Sequence, residues 1–155
     1  MRIAGTRELD APAAVAWSVL AEPARLAKVL PGIESFHVDD ERHWRATVRV
    51  PLGVGGLRVQ LHFEMLEERP VELARLRATG SGVGAVVTLE TSFRLTPVGE
   101  RTTMDWEADV QIAGPVGSMG ERVLRPAVAH QVEDVLASLE AEVAVAKAEA
   151  EAADA

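Results

Sequence analysis

The residues of this sequence able to do chemistry are four histidines, a run of carboxylates and two glycine-rich stretches. The histidines are His37, His43, His62 and His130. A helical zinc site needs ligands one turn apart, as in His-x-x-x-His or His-Glu-x-x-His, and neither spacing occurs. His37, His43 and His62 fall on the polar side of alternating segments. His130 precedes Asp134 by one helical turn, the spacing of an exposed side-chain pair. Asp105, Glu107 and Asp109 share one face of an alternating segment with Trp106 on the other, which reads as a solvated strand face rather than a paired acid and base. Gly80-Ser81-Gly82-Val83-Gly84 has the glycine density of a phosphate cradle, but such a cradle opens a helix. Here a strand-like segment follows and no Lys-Ser/Thr is present, so a hairpin turn is expected. Gly114-Pro115-Val116-Gly117 does precede a helix, again without the lysine, and reads as a bend. The absence of cysteine removes thiolate chemistry and disulfides, and the absence of tyrosine removes a phenolic acid. The expectation is no catalytic residue, no metal site and no cofactor.

The bulk properties narrow the class. A length of 155 residues suits one domain with a substantial core. The net charge of -8 argues against nucleic acid as a partner. Residues 133–155 hold seven acids against Lys147 and so supply -6 of that charge, leaving the body nearly neutral. No window approaches the ~18 apolar residues of a membrane span. Met1-Arg2-Ile3 runs directly into an alternating segment with no apolar stretch and cleavage site, so no signal peptide and a cytoplasmic location are expected.

The elements that position these residues are legible from periodicity. A strand over 1–9 is followed by two short helices, Pro12 to Leu20 and Pro23 to Leu30, the first capped by Asp10 and both opened by proline. Leu30-Pro31-Gly32 ends the second. Six period-two segments follow, at about 33–39, 42–50, 57–65, 74–79, 85–95 and 104–112, joined mostly by hairpin-length turns. A long helix over 117–145 closes the chain. Ser118 and Glu121 have the spacing of a capping box at its start, and Leu124, Val128, Val132, Val135, Leu136, Leu139 and Val143 form one apolar stripe. After Val145 the periodicity dissolves, so 1–145 is expected to form the domain and 146–155 a frayed acidic Ala/Glu tail. The fold class is α+β, a seven-stranded antiparallel sheet curved around a long C-terminal helix, with two short helices after the first strand.

The inward strand faces set large residues among small ones. Phe36, Trp44, Leu61, Phe63, Leu89, Phe93 and Trp106 alternate with alanines that include Ala108. Val128, Val132 and Val135 face them from the helix. Small residues opposite large ones either interdigitate or leave an apolar cavity, and Thr91 is the only obvious polar residue on those faces. These twelve residues form the expected wall of a ligand cavity.

In element order, and in several short motifs, the chain resembles the carbon monoxide dehydrogenase G-subunit family of the START-like (SRPBCC, helix-grip) superfamily. The motifs are Leu30-Pro31-Gly32-Ile33-Glu34-Ser35, Val50-Pro51-Leu52-Gly53, Glu68-Arg69-Pro70, Gly80-Ser81-Gly82, and the run from Gly114 through Gly120 to Arg122. The likeness covers about residues 2–140. It implies a non-catalytic accessory protein with a hydrophobic cavity, associated with molybdenum-containing CO dehydrogenases and related hydroxylases and implicated in membrane attachment or coupling to quinone. The chain departs from that pattern in ending in Ala and Glu, and in carrying Val135, Leu136 and Leu139 where relatives often have paired phenylalanines. The leading expectation is a module that holds an apolar small molecule, such as a quinone or lipid, beside a molybdenum hydroxylase. A polyketide cyclase or aromatase, or a structural subunit with a filled core, are the alternatives.

Overall fold

The computed structural model describes residues 1–50 and 56–154. Its order is β1 (Arg2–Leu9), α1 (Ala13–Ala21), α2 (Pro23–Val29), β2 (Ile33–Val38), β3 (His43–Val50), β4 (Leu57–Arg69), β5 (Leu73–Gly82), β6 (Ala85–Val98), β7 (Arg101–Ala113), a single 3-10 turn (Gly117–Met119) and α3 (Glu121–Ala153). All seven strands form one antiparallel sheet in the order β1-β7-β6-β5-β4-β3-β2. The two helices between β1 and β2 carry the chain from one sheet edge to the other, and each later strand pairs with the one before it. The part of the Val50-Pro51-Leu52-Gly53 motif after Val50 lies outside the described residues.

Alternation sets one face of this sheet inward. Trp44, Phe63, Ala78, Leu89 and Val110 are successive cross-strand partners on that face. Trp44 and Phe63 stack, with ring centroids 5.9 Å apart. The central strand β5 contributes mainly small residues here: Ala74, Ala78, Gly80 and Gly82. At Gly80 and Gly82 an added Cβ would come within 2.0 Å of the Gln60 carbonyl oxygen and 2.4 Å of that of Arg58. β4 therefore closes against β5 where only glycine fits. The glycine run is thus only partly a turn: the strand continues through Gly82, and the chain reverses at Val83 and Gly84.

The last helix differs from expectation at both ends. It begins at Glu121 behind Gly120, which has φ 87° and no side-chain cap. The Ser118 hydroxyl donates to the Pro115 carbonyl at 2.6 Å and Glu121 accepts from Arg125 at 2.9 Å, so the expected capping box does not form. The glycine backbone turns the chain between the 3-10 turn and the helix, which leaves Ser118 before the bend. At the other end the helix passes Val145 and runs to Ala153. Ala146 is buried in the main core cluster, and Arg25 of α2 pairs with Glu149. Residues 146–153 are therefore helical rather than frayed, and the segment docks through Ala146 and Glu149. The periodic signal fades there because alanine is a weak marker of an apolar face. Asp10 likewise does not cap α1, whose N-cap is Pro12 without a side-chain bond; it lies 3.7 Å from Lys147 of α3.

The C-terminal half of α3 rests on α1, α2 and β1. Leu136, Leu139, Val143 and Ala146 share a cluster with Ala16, Val19, Leu20, Val29 and Leu9. Ion pairs frame it: Arg7 with Glu133 and Glu140, and Arg25 with Glu22, Glu142 and Glu149. Glu142 is only 8% exposed although it lies off the aliphatic stripe; Arg25 Nη1 donates to it at 2.8 Å and Lys28 is 4.0 Å away. The N-terminal half of α3 instead stands across the middle of the sheet. No described helix is long and apolar enough to cross a membrane.

Candidate functional site

Between that half-helix and the sheet lies a cavity of about 270 Å³. Its floor follows from the strand register. β5 supplies Ala78, with Leu61 and Phe63 on one side and Leu89 and Phe93 on the other. Beyond them β7 contributes Trp106, Ala108, Val110 and Ile112. α3 supplies the roof with Leu124, Ala127, Val128, Gln131, Val132 and Val135. Leu26, Val29, Leu30 and Pro31, in and just after α2, close one end. Gly32 ends that stretch with φ +70°, where a Cβ would lie 2.3 Å from the Arg49 carbonyl oxygen. Glycine therefore lets the α2–β2 bend sit against β3.

Among the described residues the wall is aliphatic and aromatic apart from Thr91 and Gln131, and it contains no Asp, Glu, Lys, Arg or His. Of the twelve residues expected to face a cavity, Trp44, Leu61, Phe63, Leu89, Thr91, Phe93, Trp106, Ala108, Val128, Val132 and Val135 lie on its lining. Phe36 does not. It sits on edge strand β2 opposite Ala46 and packs half-buried against the clusters around Trp44 and Ala46. β2 is an edge strand, and its register against β3 shifts between Ile33 and Ser35.

Polar groups in the wall are few. The Thr91 hydroxyl already donates to the Glu107 carbonyl at 2.8 Å. The Trp106 indole N–H is buried with no partner; its ring lies over Gly5, where an added Cβ would meet Trp106 Cζ2 at 2.9 Å. Gln131 is the polar wall residue that sequence reasoning missed; Val48, Val59, Val87, Ile112 and Leu124 also line the cavity and were not among the twelve. The position of Gln131 beside Val128, Val132 and Val135 on the helix was the available signal, but its polarity places it among the outward residues.

The other chemistry-bearing residues stay apart from the cavity. His43 Nδ1 lies 2.9 Å from Asp40, His37 is 3.5 Å from Asp39, and His130 is 3.5 Å from Asp134 in the expected one-turn pair. Arg45 donates to Asp39 at 2.9 Å and holds its carboxyl below the usual range. The Arg42 backbone N–H, then the His43 ring, do the same for Asp40. Arg77 lowers Glu90 on the outer sheet face. Asp105 accepts from Thr6 at 2.8 Å across β1 and β7. Among the described residues no three His, Asp or Glu side chains converge on a point where a metal ion would sit. The site can enclose an apolar body; its described residues offer no side-chain acid or base to transfer a proton.

Known proteins share this fold. A conserved protein from Geobacillus kaustophilus has 23% identity and a TM-score of 0.85, covering 93% of this chain and 95% of its own. A START superfamily protein from Mycobacterium smegmatis has 17% identity and a TM-score of 0.70, covering 92% and 96%. The Zhui aromatase/cyclase from Streptomyces sp. R1128 has 16% identity and a TM-score of 0.69, covering 92% and 93%. At these identities the likeness establishes the fold, which is START-like. No curated protein matches the sequence. The family model of the carbon monoxide dehydrogenase G-subunit (CoxG) matches over residues 5–144, nearly the whole of the folded chain. The chain therefore belongs to the carbon monoxide dehydrogenase G-subunit (CoxG) family.

Proposed function

We propose that this protein is a non-catalytic carrier that holds an apolar small molecule, a quinone or a lipid, between its sheet and its last helix. It would serve in the cytoplasm as an accessory to a molybdenum-containing hydroxylase of the CO dehydrogenase type. The observation that carries this reading is the composition of the cavity wall, with thirty of its thirty-two described residues apolar and none of them charged. Removing such a ligand from water is favourable by about 25 cal/mol per Å² of apolar surface buried. No strong directional contact is then needed for retention.

A cyclase or aromatase must polarise a carbonyl and move protons, which needs positioned acids, bases or oxyanion donors. The wall supplies no titratable side chain, so the carrier reading is favoured over the enzyme. The test is organic-solvent extraction of the purified protein followed by mass spectrometry. The expected result is a near-stoichiometric quinone or lipid. A protein that yields none, and takes none up from a mixed quinone and lipid extract, would stand against the reading.

A further inference from the structure

We infer that Gln131 is a head-group anchor, and that the ligand of this cavity carries one uncharged hydrogen-bonding group, a carbonyl or a hydroxyl, on an otherwise apolar body. The inference rests on the carrier reading above and specifies the chemistry that the same cavity selects.

Four of the described lining residues carry a side-chain N–H or O–H: Trp44, Thr91, Trp106 and Gln131. The Thr91 proton is committed to the Glu107 carbonyl. The Trp106 N–H has no exposed surface, so nothing in the cavity can reach it without moving the ring. The Trp44 indole is 2% exposed and stacked on Phe63. Gln131 differs from all three. It is half-buried, it sits in the roof between Val128 and Val135, and its carboxamide has no hydrogen-bond partner among the described residues. A carboxamide offers two N–H donors and a carbonyl acceptor, so it can donate to a carbonyl or accept from a hydroxyl.

The surroundings define the rest of the ligand. With no charged side chain in the wall, a carboxylate or ammonium head would lose its hydration without a counter-charge, a large cost. An uncharged head loses much less and recovers it through one amide bond. The volume of about 270 Å³ is less than twice the roughly 150 Å³ apolar cavity known to take up a benzene ring. A bicyclic aromatic body fits that space. The geometry thus predicts a ligand whose polar head lies under Gln131 and whose rings lie on Phe63, Leu89 and Phe93.

The experiment uses the full chain, stripped of ligand, and three probes sharing one ring system: naphthalene, 2-acetylnaphthalene and 2-naphthoate. Calorimetric titration should show the ketone binding about three- to tenfold tighter than naphthalene, the net worth of one hydrogen bond, and the carboxylate binding no tighter than naphthalene. Gln131→Leu should abolish the ketone's advantage over naphthalene measured on the same variant, since the hydrogen bond is removed. Gln131→Met, close in length and shape, gives the same comparison if the leucine variant folds poorly. Naphthalene binding with no advantage for the ketone, or an advantage that survives both substitutions, would overturn the anchor while leaving an apolar cavity in place. Failure of all three probes to bind the unsubstituted protein would overturn the carrier reading and the anchor with it.

Discussion

Gly5 and Trp106 show how one small residue shapes the cavity wall. They are cross-strand partners on β1 and β7, and the indole occupies the space that a side chain at position 5 would take. Valine suits an exposed strand better than glycine does, yet Gly5→Val should destabilise by roughly 1–3 kcal/mol because the ring must move. It should also alter tryptophan emission and weaken uptake of naphthalene, since the displaced ring enters the cavity. Thermal melts and fluorescence check this; a Gly5→Val protein as stable as the parent, with unchanged emission, would mean the ring has room to spare. Residue identity conveyed much of the wall in advance. Trp44, Phe63, Phe93 and Ala108 face inward because strand side chains alternate, and no other information is needed. Gln131 was not legible, because a half-buried amide in a roof and a solvated amide on a helix back look alike in sequence. Val71 was equally hidden: it takes φ 68° in the β4–β5 turn, a conformation that nothing about valine suggests.

At the scale of elements, α3 is a lever held at one end. Its C-terminal half is fastened by core contacts and by Arg7 and Arg25, while its N-terminal half spans the cavity. Pro126 lies inside that spanning half; with no N–H it cannot bond the Arg122 carbonyl, so the roof begins with a weakened turn. Truncation after Val145 should therefore matter. It removes buried Ala146, one of Arg25's two partners in α3, Glu149, and Asp10's partner Lys147, while Glu142 stays. A loss of about 1–3 kcal/mol is expected. At roughly 2–4 °C per kcal/mol for a chain of this size, the melting temperature should fall by several degrees. An unchanged melting temperature would show that the last two turns do not dock. The strand count, the hairpins and the two short helices were legible because period two and proline punctuation are strong local signals. The ends of α3 were not. Its start depends on a glycine backbone turn at Gly120, and its last turns pack through alanine and through a buried Glu142–Arg25 pair that local patterning marks as surface.

For the whole molecule, the central question is whether the space between sheet and helix is occupied by a ligand or is merely loose packing. That space is lined by small Ala78 of β5 on the sheet side and by α3 from Leu124 to Leu139 on the other. The alternation of large and small inward residues suggested either interdigitation or a cavity, and local pattern alone had no means of choosing. The choice depends on how far the helix rests from the sheet, which is set by α1 and α2 acting as a spacer at one end. The most direct measurement is Ala108→Trp, followed by paired thermal melting and calorimetric titration with naphthalene. Ala108 is 5% exposed and lies on the cavity floor. If the cavity is a ligand site, the new indole fills it, naphthalene uptake is lost, and stability changes by less than about 1 kcal/mol, since no filled space is invaded. A variant destabilised by about 3 kcal/mol or more, made from a parent that binds no naphthalene, would contradict the ligand-site reading.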